Sequence, residues 1–134
     1  RDAVGETVGA NYDPSRPLWM GADPIAAVRK LGSAIYYVHA KDARIEPIPT
    51  AIDGVLDARP PNHYADRAWN YITLGYGHGE TWWRQFCTAL KQVGYDDVLS
   101  IEHEDMMLSP MEGMRKSVAL LRNVAINLAG GGQP

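Results

Sequence analysis

Asp13, His39 and Glu102 each close a short apolar run, and carboxylate oxygens with an imidazole nitrogen make the donor set of a divalent-metal or acid/base centre. Such donors suit Mn2+, Mg2+, Co2+ or Zn2+. Asp42 and Glu104 stand just beyond two of these runs. Taken singly, an acid near a strand end is more readily explained by solvation in a loop or by capping of the next helix than by a ligand role. Three such groups on three successive strands favour a shared site. His39 follows an apolar run and so reads as a core histidine or as a ligand. Its place before Lys41 and Asp42, at the mouth of a long loop, favours the ligand. His103 lies one step past Glu102, where pleating turns it to the opposite face, and is expected to pack or to support. His63 and His78 fall in loops. His78 sits in the run Gly75-Tyr76-Gly77-His78-Gly79, whose glycines permit tight turns and close backbone approach, and structural and substrate-facing roles stay equally open. The run superficially resembles a phosphate loop. It lacks the Lys-Ser/Thr pair and does not directly follow a strand, so a nucleotide site is a weak reading. Cys87 lies among apolar neighbours in a helical pattern and is expected to be an inert core thiol.

Strand and helix patterns alternate around these residues. Residues 7–12 form a short β-like run that ends in the turn signal Asp13-Pro14-Ser15. Asp23 and Pro24 read as N-cap and first residue of a helix that carries Ile25, Val28 and Leu31 and stops at Gly32. Residues 34–40 are rich in β-branched and aromatic side chains and predict a strand. Residues 41–78 read as a long irregular stretch with Pro47, Pro49, Pro60 and Pro61, and a loop of that length is usually functional. Residues 80–93 predict a helix with Trp83, Phe86, Leu90 and Val93 on one face and Gly94 as its stop. Residues 98–101 predict a strand. A final helix starts near Ser109-Pro110, with Met111, Met114, Val118, Leu121, Ala125 and Leu128 as its buried stripe. The alternation argues an α/β fold with a parallel sheet and helices on its faces. In such a sheet the three strand ends, and the polar groups on them, converge on one side.

At 134 residues the chain is about half the length of the roughly 250 residues of a complete (β/α)8 barrel. Its hydrophobic fraction of 46% and charged fraction of 22% are those of a globular protein. The net charge of -3 and the scattered basic residues argue against nucleic acid as a partner. No apolar run reaches the ~18 residues of a membrane span, and the start has no secretory pattern. A single cysteine leaves no internal disulfide and fits a reducing, cytoplasmic setting. Residues 1–129 are expected to form the folded part, and residues 130–134 a disordered tail.

Four segments, NYDPSRPLWMGADP (11–24), YYVHAKD (36–42), LGYGHGETWW (74–83) and GYDDVLSIEHED (94–105), resemble the sugar phosphate isomerases/epimerases of the xylose-isomerase-like superfamily. The resemblance runs from Val8 to about Asn123 and is specific for the superfamily rather than for a substrate. It implies a (β/α)8 TIM barrel of which this chain supplies about the last three β/α units. It also implies a divalent metal held by a glutamate, an aspartate, a histidine and a second glutamate on four successive strands. Asp13 matches the aspartate, His39 the histidine and Glu102 the second glutamate. The first glutamate belongs on the preceding strand, so by this alignment it is absent from the chain. Arg16 stands where similar members have a histidine three residues after the aspartate. An arginine cannot act as a base and brings a permanent charge, so it either clamps a carboxylate or phosphate or marks lost activity.

The implied chemistry is proton transfer at the carbon beside a carbonyl of a sugar or polyol ketone. A metal acts as Lewis acid, and two glutamates exchange the proton from opposite sides. Glu102 is the expected catalytic glutamate in this chain and doubles as a ligand. Arg16, Lys41, Arg44 and His78 are candidates for substrate binding, and Trp19 either walls the pocket or simply packs. Whether the chain alone is an enzyme stays open. The alternatives are an inactive barrel fragment serving as an assembly or binding module, and a lyase or dehydratase on the same scaffold. An endonuclease IV type nuclease would need more histidines and a basic face. Three barrel strands leave open sheet edges, which invite association. The chain is therefore expected to form homo-oligomers or to pair with an N-terminal half-barrel.

Overall fold

The computed structural model describes residues 1–125. The expected tail at 130–134 and the stripe position Leu128 lie outside the described residues. Along the chain run β1 (Ala10–Tyr12), α1 (Ser15–Trp19), α2 (Pro24–Leu31), β2 (Ile35–Ala40), β3 (Asp42–Ile45), α3 (Pro47–Asp53), β4 (Trp69–Ile72), α4 (Glu80–Gln92), β5 (Leu99–Ile101) and α5 (Pro110–Val124). Among the described residues no helix is long and apolar enough to cross a membrane.

β1, β2 and β5 form a parallel sheet in that order, with β2 in the centre. Val38 pairs with Tyr12 on one side and with Leu99 on the other, and Ala40 pairs with Ile101. The ladder extends one step beyond β5, where the Glu102 amide donates to the Ala40 carbonyl at 3.2 Å. Side chains alternate across the sheet. Tyr12, Val38, Ala40, Leu99 and Ile101 turn to the helix layer and join a core with Val28, Trp83, Phe86, Leu90 and Leu121. The other parity carries Asn11, Asp13, Tyr37, His39, Lys41, Ser100 and Glu102. α2 packs on α4, and α4 packs on α5. Trp83 and Phe86 are fully buried. Enclosing side chains of that size stabilises a fold by about 1.5–3 kcal/mol each.

Helix starts follow the expected chemistry. The Asp23 carboxylate accepts the Ile25 amide at 2.8 Å, and the Ser109 hydroxyl accepts the Glu112 amide at 3.3 Å, each with proline next in the chain.

Three expectations are corrected. The first strand begins at Ala10, because residues 5–7 form a 3-10 turn and Val8 is exposed. The stretch 41–78 is not one irregular loop. Asp42, Ala43, Arg44 and Ile45 pair antiparallel with Ile72, Tyr71, Asn70 and Trp69, and α3 and a 3-10 turn fill the interval. The α5 stripe is rotated. Met111, Met114 and Val118 are exposed, while Gly113, Ser117, Leu121 and Val124 are buried. The small residues let the helix approach closely. The His103 ring lies against Gly113 so tightly that no Cβ fits there.

Candidate metal centre

The shared parity of the three parallel strands brings Asp13, His39 and Glu102 together at their C-terminal ends. One ligand atom from each lies within 4.8 Å of the other two. His39 Nδ1 is 3.2 Å from Glu102 Oε2, and its Nε2 is 3.3 Å from the Asn11 amide nitrogen. Asn11, two positions before Asp13, holds the imidazole from the neighbouring strand. The Tyr37 ring meets that imidazole edge-on at 5.9 Å. Asp13 is oriented from its own chain: its Oδ1 accepts the Ser15 amide at 2.9 Å and the Ser15 hydroxyl at 2.6 Å. Two carboxylates and an imidazole fit a borderline or hard divalent cation, and the outer hydrogen bonds fix the ligands as such sites require.

Lys41 shares the parity of His39 and lies under the site. Its side chain is 1% exposed, and its ammonium donates to Glu102 at 3.1 Å and to Glu104 at 2.6 Å above the Tyr71 ring, 3.9 Å from the centroid. Burial opposes the charge on Lys41, but hydrogen bonds and charge from Glu104 and Glu102 outweigh it and hold its pKa above the ordinary lysine value. Glu102 responds in the opposite sense. Burial pushes its carboxyl up, and the Lys41 hydrogen bond and charge, with His39 and Arg16, outweigh that and hold it below the ordinary glutamate range. Glu102 is thus an anion at neutral pH, able to ligate or to accept a proton. Arg16 flanks the site on the exposed side, with Nε 3.5 Å from Asp13 Oδ2 and its guanidinium carbon 5.6 Å from the Tyr71 centroid.

The other two expected substrate residues are held elsewhere. Arg44 forks onto Glu46, with Nε at 2.9 Å and Nη2 at 2.7 Å. His78 gives its Nδ1 to Asp42 at 2.8 Å and lies beside Trp82. Asp42 also accepts the amides of Gly75, Gly77 and His78. The glycine-rich run does cradle an anion, then, but the anion is the protein's own carboxylate. A Cβ at Gly77 would stand 2.5 Å from the Ala43 carbonyl oxygen, so only glycine permits the turn. Cys87 is buried, and desolvation pushes its thiol up to about 11, which matches an inert core residue.

The family match agrees with this geometry. The sequence fits the family model for xylose isomerase-like TIM barrels over residues 1–124. The chain belongs to that family. It is 49% identical over 122 residues to YfiH of Bacillus subtilis strain 168, an uncharacterized protein, covering 91% of this chain and 39% of that one. The solved xylose isomerase domain protein of Planctomyces limnophilus superposes with a TM-score of 0.58 at 23% identity, over 92% of this chain and 41% of that chain. The chain thus spans about two-fifths of the length of each, and its fold is part of a xylose isomerase-like TIM barrel.

One further acid has a structural task in this family member. Asp105 accepts the Thr73 amide and hydroxyl, each at 2.8 Å, and the Met107 amide at 2.7 Å. Burial pushes its carboxyl up, but these bonds and the His103 charge prevail and hold it below the ordinary aspartate range. A depressed carboxylate stabilises the fold above its unfolded pKa, and that stabilisation is lost as pH falls through the folded value. Asp105→Asn is expected to lower stability at neutral pH and to matter less in acid, as pH falls below the ordinary aspartate range. Urea unfolding of both proteins at neutral and at acidic pH checks this; an equal loss at both would contradict it.

Proposed function

We propose that this chain forms the last three β/α units of a metal-dependent sugar or sugar phosphate isomerase/epimerase, which moves a proton at the carbon beside a carbonyl. The observation that carries the reading is the convergence of Asp13, His39 and Glu102 at the C-terminal ends of three parallel strands, with ligand atoms within 4.8 Å. That end of a barrel is where its chemistry is carried out. Asp13, His39 and Glu102 would hold a divalent cation, which when bound supplies Lewis-acid polarisation of a carbonyl. Glu102 accepts the substrate proton, Lys41 keeps it ionised and oriented, and Arg16 offers its exposed guanidinium to substrate oxygens. The substrate is a small sugar or polyol ketone. The remaining units of the barrel contribute another ligand and a second proton-transfer group. They cover the free edge of β5 and the groove beside it, where Leu90, Leu99, Ile101, Val118 and Leu121 are flanked by Lys91, Asp96 and Arg122.

One observation favours a different reading, an inactive barrel module: the Arg16 guanidinium competes with a cation for Asp13. Calorimetric titration with Mn2+ separates the two. Binding is expected, and Asp13→Ala and Glu102→Ala should each weaken it by at least about 10–100-fold, the cost of disturbing even outer support of a metal ligand. If nothing binds, the inactive module is the better reading. If both variants bind like the parent, the ligand assignment is wrong.

A further inference from the structure

Arg67 is 6% exposed, yet its guanidinium rests on the Trp69 indole, 4.5 Å from the ring centroid, rather than on a carboxylate. Its Nε is enclosed without a hydrogen-bond partner. So are the Tyr71 hydroxyl and Trp19 Nε1, and both rings pack against Trp69 as well, Tyr71 edge-on at 5.2 Å and Trp19 stacked at 4.5 Å. Three polar groups able to donate are therefore left open around one indole. A buried cation without a counter-charge costs several kcal/mol, and buried donors are normally paired, so an unpaired cluster needs a cause.

Arg67 and Tyr71 line a small cavity together with Arg44, Tyr64, Asn70 and Glu104. Its 30 Å³ takes about one water-sized group. The acids that border it are engaged elsewhere: Glu104 with Lys41, and Asp105 with the Thr73 and Met107 amides. The Arg44 charge is shared with Glu46. Of the two cations that line the cavity, Arg67 is the one without a carboxylate partner among the described residues. Two walls of the cavity are linked to the metal centre through Lys41. Tyr71 carries the Lys41 ammonium on its ring, and Glu104 binds the same ammonium, which in turn binds Glu102.

We propose that this cavity is an anion subsite, where Arg67 and the Tyr71 hydroxyl donate to one oxygen of a phosphoryl or carboxylate group. Resting on the isomerase/epimerase reading, the anion is the charged end of the substrate, so the site selects phosphorylated sugars or sugar acids over neutral sugars. Such a ligand would pair the open Arg67 and Tyr71 donors.

The test is calorimetric titration of the longest natural chain that contains this sequence with inorganic phosphate, and separately with acetate, at constant ionic strength. At least one anion should bind, and the better one identifies the group. Arg67→Gln and Tyr71→Phe should each weaken that binding at least 10-fold, and the exposed control Arg29→Gln should leave it unchanged. Arg67→Lys keeps charge and bulk should Arg67→Gln fail to fold, and it is expected to lose a similar factor because it cannot present the planar fork. Binding of neither anion, or equal binding by parent, Arg67→Lys and Tyr71→Phe, overturns the subsite. Mn2+ titration of the same proteins keeps the two ideas apart. Lost phosphate binding with intact Mn2+ binding supports the subsite, whereas a parent that binds phosphate but no Mn2+ defeats the metal reading and leaves the subsite standing.

Discussion

Asp42→Ala is expected to cost about 3–5 kcal/mol of folding stability, the range for removing one partner of a buried charged network. Asp42 is fully buried at the start of β3. Its two oxygens accept from Ala43 N at 2.9 Å, Gly75 N at 3.1 Å, Gly77 N at 3.2 Å, His78 N at 2.9 Å, His78 Nδ1 at 2.8 Å and Trp83 Nε1 at 3.3 Å. One side chain thus ties three parts of the fold together: the start of the β3–β4 ribbon, the 75–78 turn, and the fully buried indole of α4. Each donor left unpaired in the interior costs about 1–3 kcal/mol. The sum is limited because the turn can open and let water reach its amides. Asn keeps the shape but replaces one acceptor by an amide that faces other donors, so Asp42→Asn should fall between parent and Asp42→Ala. Urea unfolding at unchanged slope measures the loss, and hydrogen exchange at Gly75, Gly77 and His78 should accelerate with it. A loss below about 1 kcal/mol for Asp42→Ala, the net value of one ordinary hydrogen bond, would mean that the network is dispensable.

Asp42 also explains where reading the sequence stops. The three strands of the sheet are legible because each is a compact apolar run, and their ends carry Asp13, His39 and Glu102 in plain view. Pleating then predicts the rest of that face. Asn11 and Lys41 differ from Asp13 and His39 by two positions, and in the structure one supports the imidazole and the other sits under Glu102. By that parity Lys41 belongs beneath the carboxylates, where its ammonium donates to Glu102 and Glu104. The ribbon is less legible. Ile45 and Trp69 pair across an interval containing Pro47, Pro49, Pro60 and Pro61, and four-residue strands that far apart leave no local period to detect. The error on α5 has another cause. Apolar spacing predicts which side chains could be buried, whereas close approach at Gly113 and Ser117 decides which face is. Met111, Met114 and Val118 satisfy the period and remain exposed. Arg67 gives no signal at all in the sequence. It precedes β4 as an ordinary charged residue, and only its burial on Trp69 without a partner marks it.

On the proposed reaction, Glu102→Gln should lower kcat about 10²–10⁴-fold in the longest natural chain containing this sequence, the range for losing a positioned proton acceptor. The substitution preserves shape and still offers one oxygen, but it cannot take the proton. It also weakens the ion pair with Lys41, which sits 3.1 Å from Oε2, and leaves that buried ammonium to Glu104 alone. Asp13→Asn gives the contrast. Asp13 is held by Ser15 and by Arg16 and has no lysine behind it, so its task in the proposed reaction is to hold the cation. Raising Mn2+ should therefore restore much of the activity of Asp13→Asn, while Glu102→Gln should stay slow once the metal is saturating. The two roles of Glu102, ligand and proton acceptor, separate in that comparison. Recovery of Glu102→Gln to within about tenfold of the parent at saturating Mn2+, short of even the lowest acid–base contribution, would leave Glu102 as a ligand only and place the proton transfer on another residue.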